Sequence, residues 1–164
     1  MRKYIFCSLA VMIVLFRLTA CSSSSTQDTV SAELGIDVSA GKEVSNTDTH
    51  SGFHGDGISC IVLSFSNEKV LDEIKENSKW KPFPMDETVQ SLVYGVEGET
   101  SSIGPFITDG NGNSIVPEIE HGFYLLIDRH TDKETDILSR ASFNLTVGLY
   151  DADSNTLYCC KLDT

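Results

Sequence analysis

The sequence predicts an α+β domain: a small antiparallel sheet of about four strands, with a C-terminal meander and two short helices inserted after the first strand. Three observations predict it. Residues 58–65, 122–128, 142–150 and 156–162 are rich in β-branched and aromatic residues. Between the first and second of these runs, apolar residues recur at helical spacing behind capping residues. Turn signals then separate the later strand patterns from one another.

The first strand, ISCIVLSF at 58–65, is bounded by Gly57 and by Ser66-Asn67. Its alternation sets Ile61, Leu63 and Phe65 on one face and Cys60, Val62 and Ser64 on the other. Ser66 or Asn67 is the expected N-cap of a helix running to about Asn77, with Val70, Leu71 and Ile74 inward. Trp80 and Pro82-Phe83-Pro84 follow. The prolines disfavour helix, so this stretch reads as an extended bend that lays Trp80 and Phe83 on the core. Asp86 is expected to cap a second helix with Val89, Leu92 and Val93 inward, stopped at Gly95.

Residues 95–120 read as loop, with a small hairpin over Asp109-Gly110-Asn111-Gly112. GFYLLID at 122–128 is apolar on both faces and is predicted as a central strand. In 142–150, Phe143, Leu145, Val147 and Leu149 alternate with Asn144, Thr146 and Gly148. Residues 151–155 form a turn, and 156–162 the last strand. The helices are expected on one face of the sheet.

Residues 1–20 read as a secretory leader. Arg2 and Lys3 precede YIFCSLAVMIVLF, an apolar run too short to span a bilayer as a helix. Leu18-Thr19-Ala20-Cys21 resembles the bacterial lipobox. That resemblance implies cleavage before Cys21 and lipid on its sulfur, a palmitate-type anchor on the outer face of a cell membrane. Residues 21–55 are rich in Ser, Thr, Gly and Asp and are expected to be a flexible tether. Residues 56–164 form a single domain. The phrases GFYLLIDRH and LYDADSNTLY in that domain resemble small uncharacterised lipoproteins of gut-type firmicutes, which implies the outer leaflet of a one-membrane envelope and no particular activity.

The chain has 12 basic and 24 acidic residues. Loss of residues 1–20 removes Arg2, Lys3 and Arg17 and no acidic residue, leaving 9 against 24, a formal charge of −15. Such a surface repels nucleic acid, which is excluded as a partner.

The cysteines come first among candidate chemistry. Consecutive strand residues face opposite ways, so Cys159 and Cys160 cannot both reach Cys60. Tyr158, Cys160 and Leu162 form the more apolar face, which makes Cys60–Cys159 the expected disulfide if the first and last strands are neighbours, with Cys160 a buried thiol. Three unpaired cysteines are the alternative. Asp109, Asn111 and Asn113, with Glu120 at the closing position, resemble a calcium loop, although Ser114 stands where its sharp turn takes glycine. Asp128, Arg129 and His130 are the catalytic alternative, an aspartate beside a histidine base with no nucleophile specified. His50, His54 and Asp56 carry metal-ligand chemistry but fall at the expected tether. Trp80, Tyr124 and Tyr150 are the aromatics expected to form a binding surface if exposed.

No motif asks for a cofactor. The resulting expectation is a non-enzymatic, membrane-anchored module that binds a protein, peptide or envelope component. An envelope enzyme using Asp128, Arg129 and His130, or a calcium-stabilised module, is the alternative.

Overall fold

The structure is a computed structural model that describes residues 24–50, 55–98 and 101–164. In chain order the elements are α1 (Thr26–Leu34), β1 (Lys42–Asp48), β2 (Gly57–Ser64), α2 (Lys69–Glu76), β3 (Lys81–Pro82), α3 (Glu87–Val93), β4 (Val96–Glu97), β5 (Ser102–Ile103), β6 (Gly122–Asp128), a 3₁₀ turn (Ile137–Ser139), β7 (Asn144–Asp151) and β8 (Thr156–Asp163). The fold is α+β. Six strands form one sheet in the order β1-β2-β8-β7-β6-β3, every neighbouring pair antiparallel, and β4 and β5 form a separate ribbon.

The expected strands and helices are present, and so is the C-terminal meander of β6, β7 and β8. Asp86 caps α3 by accepting from the Val89 N–H at 3.0 Å. The hairpin closes through a bridge between Thr108 and Ser114, and Ile107 and Val116 on its two arms are buried.

Several expectations need correction. The segment 21–55 is not a tether throughout, because α1 and β1 lie within it. Ser25 and Asp28 form a reciprocal capping box at the start of α1, and the helix ends at Gly35 in a left-handed conformation. Val30, Leu34, Ile36 and Val38 are buried. The Glu33 carboxylate accepts from Lys161 Nζ at 2.8 Å and from the Thr146 hydroxyl, which ties the helix to β8 and β7. β1 is exposed at all seven positions and rests on its pairing with β2.

The helices also do not share one face. Val89, Leu92 and Val93 of α3 pack with Cys60, Val62, Leu145, Val147, Leu149 and Cys160 on one side of the sheet. Val30 and Leu34 of α1 and Val70, Leu71 and Ile74 of α2 pack with Leu63, Leu125, Tyr150, Leu157 and Cys159 on the other. A sheet covered on both sides explains why β6 is apolar on both faces. It does not make β6 central, because its outer neighbour is only the two-residue β3.

The disulfide joins Cys60 to Cys160, and Cys159 is a buried free thiol. The expected Cys60–Cys159 pair fails because both faces are core, so apolarity could not tell them apart. Register decides instead: Cys60 lies directly opposite Cys160 on the β2–β8 ladder. Burial pushes the Cys159 thiol up to about 12, which leaves it protonated and unreactive.

Candidate functional site

The three aromatics expected at a surface are core. Trp80, Tyr124 and Tyr150 are 6%, 4% and 0% exposed. The Trp80 indole packs over Gly148, where a Cβ would lie 2.9 Å from its Cη2. The Tyr124 hydroxyl donates to the Asp86 carboxylate at 3.2 Å and accepts from its backbone N–H at 3.3 Å. The Tyr150 hydroxyl donates to Asn155 at 2.8 Å. None of the three offers a binding surface.

The Asp109 carboxylate is occupied by its own turn, accepting from the N–H groups of Asn111 at 2.8 Å and Asn113 at 3.0 Å. Asp109 therefore acts as a turn cap, and Glu120 lines a cleft elsewhere. Among the described residues no group of three or more His, Cys, Asp or Glu side chains is arranged to hold a metal ion. His50 bonds Asp48 through Nδ1 at 2.6 Å and Asp163 through Nε2 at 3.3 Å, which pins the end of β1 to β8. His54 and the lipobox cysteine, Cys21, lie outside the described residues.

Arg129 and His130 line an open cleft of about 520 Å³ with Ser142, Asn144 and Asp163, and Asp128 precedes them at the end of β6. Their chemistry is directed inward. Arg140 donates to the Asp128 carboxylate at 2.9 Å and Lys133 lies 3.4 Å away. Burial raises the Asp128 carboxyl, but the Arg140 hydrogen bond and nearby cations outweigh it and hold it below the ordinary range. Arg129 donates to Asp163 at 2.8 Å, to the Leu145 carbonyl and to Thr146.

His130 does lie 3.2 Å from a hydroxyl, that of Ser142. Its Nδ1, however, faces the Asp132 backbone N–H at 3.0 Å and must accept from it. The neutral ring then carries its proton on Nε2 and donates to Ser142. That is the reverse of what a base needs to activate a serine. Asp128 touches only the backbone N–H of His130, so no aspartate orients the ring. The trio is a structural clamp on the 129–145 loop.

A second open cleft, of about 610 Å³, lies between α3 and the residues leading into β6. Its floor is apolar: Ile119 is buried, and Phe83, Met85 and Tyr94 are half-buried against the core beneath α3. The backbone N–H of Phe83 donates to the Gly122 carbonyl at 3.0 Å, which holds one wall. The Tyr94 hydroxyl donates to the Pro117 carbonyl at 2.6 Å and holds the other. Burial, with Glu118 nearby, pushes that phenol up to about 12, so it stays neutral.

Glu118 and Glu120 flank buried Ile119 and stand exposed at the rim. His121 beside them is bound through Nδ1 to Asp153 at 2.9 Å, and that carboxylate raises its affinity for a proton. No lysine or arginine lines this cleft. Of this wall, sequence singled out Phe83, expected on the core, and Glu120, expected in a calcium loop, and did not bring the two together. The signal available was the alternation Glu118-Ile119-Glu120, one apolar anchor between two outward carboxylates, opposite the Phe83 bend.

No protein-family model, curated protein or solved structure matches this chain.

Proposed function

We propose that the protein is a surface lipoprotein, anchored through Cys21, whose domain is a non-enzymatic binding module engaging its partner at the cleft between α3 and β6. The observation that carries the binding reading is the contrast between the two clefts. Around Arg129 the charged groups Arg129 and Asp163 are spent on one another, and His130 on Ser142 and the Asp132 N–H. Beneath α3, an apolar floor lies open below carboxylates that form no salt bridge among the described residues. A concave site of a few hundred Å³ that sets an apolar floor beside several polar side chains has the form of a ligand site.

The Cys60–Cys160 disulfide is consistent with an extracytoplasmic location, and no described helix is long and apolar enough to cross a membrane. The lipobox supports the anchor. Because the α1 capping box begins at Ser25, a lipidated Cys21 would hold the domain within about 14 Å of the bilayer, at roughly 3.3–3.6 Å per residue. The domain would therefore work at the membrane surface rather than at the end of a long leash.

Two measurements on cells producing the full chain test this reading. Alkynyl palmitate should label the wild type and not Cys21→Ala, and the variant should leave the membrane fraction; label that persists without Cys21 would sink the anchor. A photo-crosslinking phenylalanine analogue at position 121, on the exposed rim of the cleft, should trap a discrete envelope species, whereas the same group at exposed position 97 should not. Equal trapping at both positions, or none at 121, would overturn the cleft as the binding site.

A further inference from the structure

We infer that the cleft beneath α3 accepts a short peptide segment of a partner protein, with a lysine or arginine side chain beside an apolar one. This rests on the cleft being the binding site and adds the class of ligand. Three features of the wall select that class.

The first is charge. Glu118 and Glu120 project at the rim, on either side of Ile119, and no lysine or arginine lines the cleft. The one group there able to carry positive charge, His121, is already neutralised by Asp153 at 2.9 Å. Asp151 is also close enough to bear on the Tyr94 phenol. An anionic ligand would therefore meet uncompensated repulsion, and a cation would meet two carboxylates.

The second is the floor. Ile119, Met85, Phe83 and Tyr94 form an apolar surface reaching up to those carboxylates. A lysine or arginine has the matching anatomy, an aliphatic stem that covers apolar surface and a charged head that reaches for the rim. Tyr94 adds a ring face for the cation, and Met85 an unbranched side chain that adapts to the neighbouring apolar residue.

The third is Gln90. Its side chain lines the cleft from α3 and has no hydrogen-bond partner among the described residues. A primary amide offers one donor and one acceptor face, which matches a peptide unit and has no counterpart in a simple amine. The volume of about 610 Å³ holds two side chains and the backbone between them, not a folded domain.

The test uses the full chain in phosphatidylcholine nanodiscs, with empty discs as blank. Three fluorescein-labelled, amidated peptides are compared by anisotropy: Leu-Lys-Phe-Lys and its twins with glutamine or glutamate in place of lysine. The lysine peptide should bind at least about tenfold tighter than the glutamine twin, the glutamate twin should not bind, and affinity should fall as salt rises. Glu118→Gln and Glu120→Gln should each weaken the lysine peptide about 2- to 5-fold, as expected for exposed charge pairs, without lowering Tm. Gln90→Ala should weaken all peptides that bind.

Equal binding of the three twins, or lysine-peptide binding unmoved by the double Glu118→Gln, Glu120→Gln variant, overturns the cationic assignment. No binding by any twin overturns the peptide assignment; if position 121 still crosslinks an envelope species in cells, the binding module stands with a different ligand, and if it does not, both fall.

Discussion

The Trp80 indole rests on the bare backbone of Gly148, where a Cβ would lie 2.9 Å from Trp80 Cη2 and 3.1 Å from Leu34 Cδ2. This one approach joins α1, the bend after α2 and the middle of β7 on the same side of the sheet. The indole is rigid and β7 is held by ladders on both edges, so neither side can retreat. Gly148→Ala should therefore destabilise the domain by about 1–3 kcal/mol, the usual effect of overpacking a close-packed core. Urea unfolding at neutral pH measures it, and an unchanged midpoint would mean that Trp80 can move aside.

Leu34 makes α1 part of the domain. Leu34→Ala should cost about 2–5 kcal/mol, as for other buried leucines. The same substitution in a tether would cost nothing, so a single melt separates the two descriptions of residues 26–41.

The disulfide spans a sequence separation of 100 residues. On the chain-entropy model, a loop of that length contributes about 4–5 kcal/mol through the unfolded state. The Cys60→Ala, Cys160→Ala double variant should lose a large part of this in urea midpoint. Alkylation of the native protein should leave Cys159 untouched until denaturant exposes it, because the thiol is buried and protonated.

Acid should loosen the attachment of α1. Burial works to raise the Glu33 carboxyl, but hydrogen bonds from Lys161 and Thr146 and the charges of Lys161 and Arg129 outweigh it, so it is held below 4.5 when folded. A depressed folded value means that the stabilisation is complete above the unfolded value, near 4.5, and is lost as pH falls through the folded one. Asp128, depressed by Arg140, acts in the same direction. Urea midpoints should thus decline as pH drops below about 4.5, and Glu33→Gln should be less stable at pH 7 with a shallower acid decline. A parallel decline in wild type and variant would remove Glu33 from the account.

The hydrogen bonds of His130 also make a prediction. With Nδ1 facing the Asp132 N–H, the neutral ring should carry its proton on Nε2. Long-range ¹H–¹⁵N spectra at alkaline pH read the tautomer directly. An Nδ1–H form would free Nε2 to accept from Ser142 and would reopen the catalytic reading.

Much of the scaffold was legible in sequence because its signals are local. The alternation of 142–150, the stripes of α2 and α3, the Asp86 cap of α3 and the turn around residues 151–155 depend on neighbours within a few positions, whereas Glu68, not the expected Ser66 or Asn67, precedes α2 and makes no side-chain cap. What escaped had weak apolar signal, although Ser25, Asp28 and Gly35 are local caps of α1. α1 carries only Val30 and Leu34 as inward anchors among Ser, Thr and Asp, and β1 is polar and exposed throughout, a strand only because β2 offers it hydrogen bonds.

By itself, then, the sequence determined the α+β class, the strand meander, the two helices after the first expected strand and an acidic composition. Tertiary structure decided which cysteine pairs, which aromatics are buried, that the helices lie on both sides of the sheet, and that Phe83, Tyr94, Glu118 and Glu120 meet at one cleft. The physical reason is distance along the chain. Propensity and alternation act between near neighbours, whereas the Cys60–Cys160 register, the Trp80–Gly148 approach and the cleft walls join residues tens of positions apart, through strand order and packing that no short window encodes.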